Sequence, residues 1–246
     1  MKQILCVFVA TTALLSAGIA ENAIGIRGTL AINRNALKDS VKQELADELA
    51  DVMSAATESN ATASVDDEVK LGGGFAIFGN FSFSALPALG VQCELGLLFN
   101  NGITFTGTSS SNGYKLEADM DCSFSTLEFP ILLTYTVNKG GFFEFVPEAG
   151  LYLAFPITKF EMDMGMKLKY NNLSYSDSDS SKSKIDTKCF VGMVLGVGFA
   201  LNFTSTSAII IDTRYMFDFN KLEVDGDEIG ARRVFLLSAG YRYTLK

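Results

Sequence analysis

Eight runs of alternating apolar residues lie between Gly25 and Leu245, and the gaps between them run long, short, long, short, long, short, long. Successive side chains of a strand point to opposite faces, so each run is an extended element with one apolar face. An even number of such strands, joined alternately by tight turns and long loops, is what a β-barrel crossing a membrane requires. Closure is obligatory there, because an open edge in hydrocarbon leaves N–H and C=O groups unpaired, each at a cost of several kcal/mol.

The expected strands are 24–33, 72–83, 88–100, 124–136, 142–155, 189–203, 207–219 and 233–246. Ile24 and Ile26 face outward in the first, Phe75 and Ile77 in the second, Phe129 and Leu133 in the fourth, Tyr241, Tyr243 and Leu245 in the last. Residues 84–87, Asn138-Lys139-Gly140-Gly141 and Thr204-Ser205-Thr206 form the short turns. The chain is 48% apolar, yet no run beyond residue 20 approaches the roughly 18 uncharged apolar residues of a membrane helix. A soluble sandwich or lipocalin-like barrel built from these strands would expose a contiguous apolar surface far beyond soluble norms. The fold class expected is therefore all-β: an eight-stranded antiparallel transmembrane barrel with long extracellular loops and a helical insertion in the first. The pattern is weakest at its first strand, which that insertion sets apart.

Residues 1–20 read as a secretory leader. Lys2 gives the positive start, residues 4–15 the apolar stretch, and Gly18-Ile19-Ala20 a small-x-small cleavage site before Glu21. Cys6 precedes the apolar stretch rather than ending it, so a lipoprotein anchor is not implied. Residues 21–246 then form one barrel domain, exported to a bacterial outer membrane and surrounded by its lipid. Without Lys2, 19 basic residues stand against 28 acidic ones. No nucleic-acid partner is expected, since phosphate binding needs clustered Lys and Arg. The remaining cysteines, Cys93, Cys122 and Cys189, are odd in number and exclude a fully paired framework. Cys122 and Cys189 both precede strands that start at the outer mouth, which leaves a disulfide open; three free thiols is the plainer reading.

The loops differ in kind. Within 34–70, Leu37, Val41, Leu45, Leu49 and Val52 recur at helical spacing, an amphipathic helix over 36–56 with an acidic opposite face. It reads as a lid on the barrel mouth or as a partner-binding helix. Residues 60–64 read as a flexible tether, and 103–122 as a protruding hairpin with its tip at 109–113. Residues 158–170 alternate charged and apolar, continuing the fifth strand beyond the membrane despite Pro156. Residues 174–183 read as an exposed loop tip, where Asp177 and Asp179 lack the Gly and final Glu of an EF-hand.

The chain has no histidine. Lipases, acyltransferases and proteases carried on such barrels use His as base beside Ser or Asp, so no enzyme activity is expected. The cysteine spacing gives no zinc signature, and Gly72-Gly73-Gly74 opens a strand rather than a helix, so neither metal nor cofactor is expected. Strand phase turns Arg27, Glu94, Glu128, Glu144, Glu148, Asp212, Arg214 and Arg242 into the barrel. Unpaired charges would be severely costly there, and the planar Arg fork suits several carboxylates at once. Counting from the inner turns sets Asp212 level with Arg242 on neighbouring strands, and Glu94 level with Glu128. The expected contacts are thus an Asp212–Arg242 pair and a facing Glu94–Glu128 pair, one of which must be bridged by Arg or water or carry a raised pKa. The network either plugs the lumen or lines a narrow path, and eight strands leave little bore for a path.

Leu127-Glu128-Phe129-Pro130-Ile131-Leu132-Leu133 resembles the "LEIPLLLKY" strand of the small outer-membrane β-barrel domain family, PorT-like and of OmpX and OmpW architecture. Phe145-Val146-Pro147-Glu148-Ala149-Gly150 is similar to its following strand, Asp212-Thr213-Arg214-Tyr215 to its acidic-x-Arg-Tyr strand, and Ser238-Ala239-Gly240-Tyr241-Arg242-Tyr243 to its last. The ending also resembles the signal read by the barrel-assembly machinery, with Ser238, Gly240, Tyr243 and Leu245 in its polar, Gly, aromatic and hydrophobic positions. The chain departs in ending on Lys246 and in carrying the helical insertion. The resemblance implies architecture rather than activity. The function expected is surface interaction, adhesion or envelope integrity, with a host or envelope protein engaged through the loops. A narrow passive channel for small or hydrophobic solutes, or an accessory part of a secretion or assembly complex, are the alternatives.

Overall fold

A computed structural model describes residues 19–33, 36–37, 39–170 and 173–245. The leader expected over 1–20 lies, up to residue 18, outside the described residues. In chain order the elements are β1 (Ile19–Asn33), β2 (Ala36–Leu37), α1 (Asp39–Thr57), β3 (Thr62–Glu68) and β4 (Lys70–Phe83). Then come β5 (Leu89–Ser111), β6 (Tyr114–Tyr135), β7 (Phe143–Pro156), β8 (Phe160–Tyr170) and β9 (Leu173–Ser183). The chain closes with β10 (Phe190–Asn202), β11 (Ser207–Asp218), β12 (Leu222–Val224), β13 (Asp227–Ala231) and β14 (Arg233–Leu245).

Strands β1, β4, β5, β6, β7, β10, β11 and β14 pair antiparallel in that order, and β14 pairs back onto β1, so the eight form a closed barrel. All eight expected strands are present, the first included: Ile26 stands opposite Ile77 on one side and Tyr241 on the other. Alternation does the sorting. Ile26 is 61% exposed on the outer wall while Ala31, five residues on and facing inward, is fully buried. Outward Phe75, Leu133, Leu151, Ile209 and Tyr241 continue the apolar belt around the barrel. At the short-turn end, Asn138 and Gly140 take positive φ in the expected 138–141 turn.

At the far end β5 and β6 run on past the rim as the protruding hairpin expected over 103–122, turning at Asn112-Gly113, whose two positive φ values suit a two-residue hairpin. β3, β8 and β9 add to them, giving a five-stranded crown in the order β3-β5-β6-β8-β9. Wall becomes crown at a register shift between Leu98 and Asn101, where Asn100 has φ 58° and Gly102 φ 153°. Residues 60–64 are therefore not a tether, since Thr62 onward pairs with β5. Residues 174–183 are not a loop but the outer strand β9, its backbone paired to β8 while its Ser and Asp side chains face water. The fifth strand does not continue unbroken either: Pro156 has no N–H to donate, and the ladder resumes at Phe160 along the same neighbour, β6.

The helix forms where its apolar spacing places it, starting at Asp39 because Ala36-Leu37 instead pair with β13. It lies on β3 and β5 of the crown. Leu49 seats over Gly107, where an added Cβ would come within 2.4 Å of Leu49 Cδ1. Gly107→Val is expected to lift α1 off the sheet: limited proteolysis should then cut within 39–57 while the barrel keeps its heat-modifiable gel mobility.

Candidate functional site: a filled lumen beneath the crown

The inward charges form three groups stacked along the barrel. Nearest the short turns, Arg242 Nη2 donates to Glu144 Oε2 at 2.6 Å and to Asn202 Oδ1 at 3.1 Å, and Gly140 N–H donates to Glu144 Oε1 at 2.7 Å. A polar vestibule of about 110 Å³ opens beside them, lined also by Asn80 and Lys139.

The middle group is the densest. Arg214 Nη1 donates to both Glu94 oxygens at 2.9 Å, Nη2 donates to Glu148 Oε2 at 3.0 Å, and Nε bonds Glu148 and lies 3.1 Å from Asp212 Oδ1. Arg27 donates to Asp212 at 2.9 Å, pairs with Glu94, and rests its guanidinium 5.4 Å from the Phe78 ring centre. Gln92 completes Glu94 at 2.6 Å. The side chains of Arg27, Glu94 and Arg214 are 2–3% exposed, so each guanidinium is a charge whose desolvation is offset chiefly by these carboxylates. Glycine makes room for the group: a Cβ on Gly196 would meet Arg214 Cγ and Glu148 Oε1 at 2.8 Å.

Of the third group, strand phase found Glu128 but missed Arg232 and Asp218. Arg232 donates to Glu128 Oε1 and to Asp218 Oδ2, both at 3.1 Å, and its guanidinium lies 5.0 Å from the Phe190 ring centre and 5.6 Å from that of Tyr152. The Tyr152 hydroxyl donates to Asp218. Leu132, Val194, Met216 and Val234 fill the lumen between this group and the middle one, and Phe124, Phe160 and Phe190 pack at and above it, so that together they close the lumen as an apolar plug. Hairpin residues Leu222 and Val224 join them, turned inward through Asp225-Gly226.

All eight predicted lumen residues therefore face inward, but neither predicted pairing forms. Arg242 stands opposite Ala208, while Asp212 stands opposite Ser238. The stagger between β11 and β14 separates them by four residues, so Asp212 goes to Arg27 and Arg214, and Arg242 to Glu144. Glu94 and Glu128 are not level either, since Glu128 faces Gly96, and each has an arginine of its own. Both central contacts span the barrel: Arg214 on β11 reaches Glu94 on the opposite stave β5, and Arg232 at the head of β14 reaches Glu128 on opposite β6.

The Cys122–Cys189 bridge is not formed; Cys93, Cys122 and Cys189 are free. Burial, with Asp121 adding to it, pushes the Cys122 thiol up to about 12, so it is a protonated, unreactive filler of the crown base. On the polar face of the crown, hydrogen bonds from Lys169 and Lys115 hold Glu117 down to about 2. Of the terminal motif, Ser238 faces inward and donor Thr29 bonds it at 3.1 Å, Gly240 packs on Arg27, and Tyr243 and Leu245 face outward.

No family model matches the chain, and neither does any curated protein. The PorT-like resemblance thus rests on its strand motifs alone. Among solved structures the chain is similar to Neisserial surface protein A, with a TM-score of 0.47 and 11% identity over 90% of this chain and 96% of that one. It is also similar to the outer membrane protein OprG from Pseudomonas aeruginosa, with a TM-score of 0.43 and 16% identity over 93% and 98%. A third is Ail, the attachment invasion locus protein of Yersinia pestis, with a TM-score of 0.39 and 11% identity over 93% and 100%. At such identities and scores the likeness says nothing of what this chain does.

Proposed function

We propose that this chain is a non-enzymatic outer-membrane barrel whose lumen is sealed and whose task is carried by its crown, in surface interaction such as adhesion or the binding of an envelope or host protein. The observation that carries this reading is the stacking of ion groups and apolar plug across the lumen, with arginines tied to opposite walls. The apolar outer belt supports the membrane address, and the lack of histidine supports the absence of catalysis. A solute path would need these bonds to open together, each leaving a buried charge unpaired. Purified barrel in planar bilayers is expected to give no resolved conductance steps at neutral pH. Clear single-channel steps from the wild-type protein would overturn the sealed-lumen reading in favour of passive transport.

A further inference from the structure

The apolar face of the crown sheet is only half covered. α1 occupies the β3–β5 side, with Leu45 and Leu49 against Val65 and Phe105. The same face continues past the helix through Met120, Met164 and Met166 to Tyr175 on β9. Five strands spaced about 4.8 Å apart span about 19 Å between the outermost two, and helices pack 8–10 Å apart, so the face has room for roughly two helices and holds one. The uncovered half is open: Met166 is 43% exposed and Tyr175 69%, and Val52 on the facing side of α1 is 57% exposed. Between α1 and the methionine row lies a groove of about 170 Å³.

Both rims of the groove are acidic. On α1, Glu44 and Glu48 are one turn apart, and Glu48 lines the groove. On β9, Asp177 and Asp179 stand directly opposite Met166 and Met164 and so share their face of the sheet. All four are exposed. We infer that this groove docks a cationic amphipathic helix of another protein, its apolar stripe on the methionines and its Lys or Arg flanks between the Glu and Asp rims. Methionine suits the role because its unbranched, polarizable side chain fits irregular apolar surfaces, and helix-in-groove docking needs only such a floor. A second copy of this chain would bring its own acidic α1 against acidic rims, and like charge opposes that. The inference rests on the crown being the interacting part of the protein, and it adds where and with what chemistry.

The test uses the full chain in nanodiscs and a synthetic Lys–Leu peptide of about 18 residues whose leucines follow the helical period. A scrambled peptide of equal composition is the comparison, with binding read by fluorescence anisotropy. The periodic peptide is expected to bind at least about tenfold more tightly than the scrambled one. Met164→Ser with Met166→Ser, and separately Glu48→Gln with Asp177→Asn and Asp179→Asn, should each weaken it about tenfold, and added salt should weaken it further. All these positions are partly or fully exposed in the crown, and unchanged heat-modifiable mobility checks that the barrel stands. Equal binding of the two peptides, or no effect of the methionine pair, overturns the inference. Binding of peptide-free anionic vesicles that is lost with the methionines would assign the groove to lipid and overturn it too. Conductance involves no peptide, so the sealed-lumen reading and this one can fail separately.

Discussion

Arg214→Met is expected to destabilise the barrel more than any other single substitution in the lumen, by roughly 3–5 kcal/mol, the cost of removing one partner from a buried ion pair. Arg214 is the ion-pair partner of Glu148 and shares Glu94 and Asp212 with Arg27. Without it, one guanidinium faces three carboxylates, and buried Glu148 loses its ion-pair partner. The measurement is the urea midpoint of the detergent-solubilised barrel, followed by gel mobility and tryptophan-independent signals such as circular dichroism. Arg214→Lys should not restore it, because an ammonium cannot present one planar fork to Glu94 and Glu148 together. Adding Glu148→Gln to Arg214→Met should recover much of the loss, since Glu94 and Asp212 keep Arg27 and no carboxylate of the group is then without an arginine. A single mutant as stable as the parent would show that the network is not what holds the staves together.

Gly240→Val should be the second most damaging change, and it separates two explanations of one residue. Gly240 occupies the glycine position of the terminal motif, but it also lies against Arg27: a Cβ there would sit 2.2 Å from Ile26 O and 2.6 Å from Arg27 Cβ. The first obstacle is backbone of the paired strand, so the β1–β14 seam itself must shift. The cost should exceed the roughly 1–3 kcal/mol usual for overpacking. The variant is expected to refold poorly from urea into detergent with no cellular factor present, whereas Tyr243→Ala, at an outward position, should refold. If Gly240→Val refolds normally in vitro yet fails to assemble in cells, recognition by the assembly machinery accounts for the glycine and packing does not.

What could be read from the chain was whatever a period of two imposes. One-sided strands such as 24–33 and 207–219 announce both their extent and their phase, so every inward charge named from phase is inward. Partners were not legible, because they depend on stagger and on reach across the lumen. Arg242 and Asp212 share similar counts from the turns yet stand four residues apart in register. Asp218 has the same parity as Asp212 and Arg214, and Arg232 the same parity as Val234 and Leu236, so extending the phase to the strand ends would have found both. Of the crown, the 103–122 hairpin and the alternation over 158–170 were legible, while β3 and β9 were not, for a different reason. The β9 sequence Leu173-Ser174-Tyr175-Ser176-Asp177-Ser178 alternates almost nothing apolar against polar, and only its ladder with β8 makes it a strand.

The length of β5 and β6 has a mechanical consequence. Each continues about ten residues beyond the register shift between Leu98 and Asn101, and at about 3.4 Å per residue this carries the Asn112-Gly113 turn about 30 Å along the strands from the rim. The crown is thus a mast stepped into the hull rather than a flag on a line. A ligand gripped there is presented at a set height and orientation, and a pull on it loads the two ladders lengthwise, so tension passes as shear through many hydrogen bonds into the wall instead of peeling them one at a time.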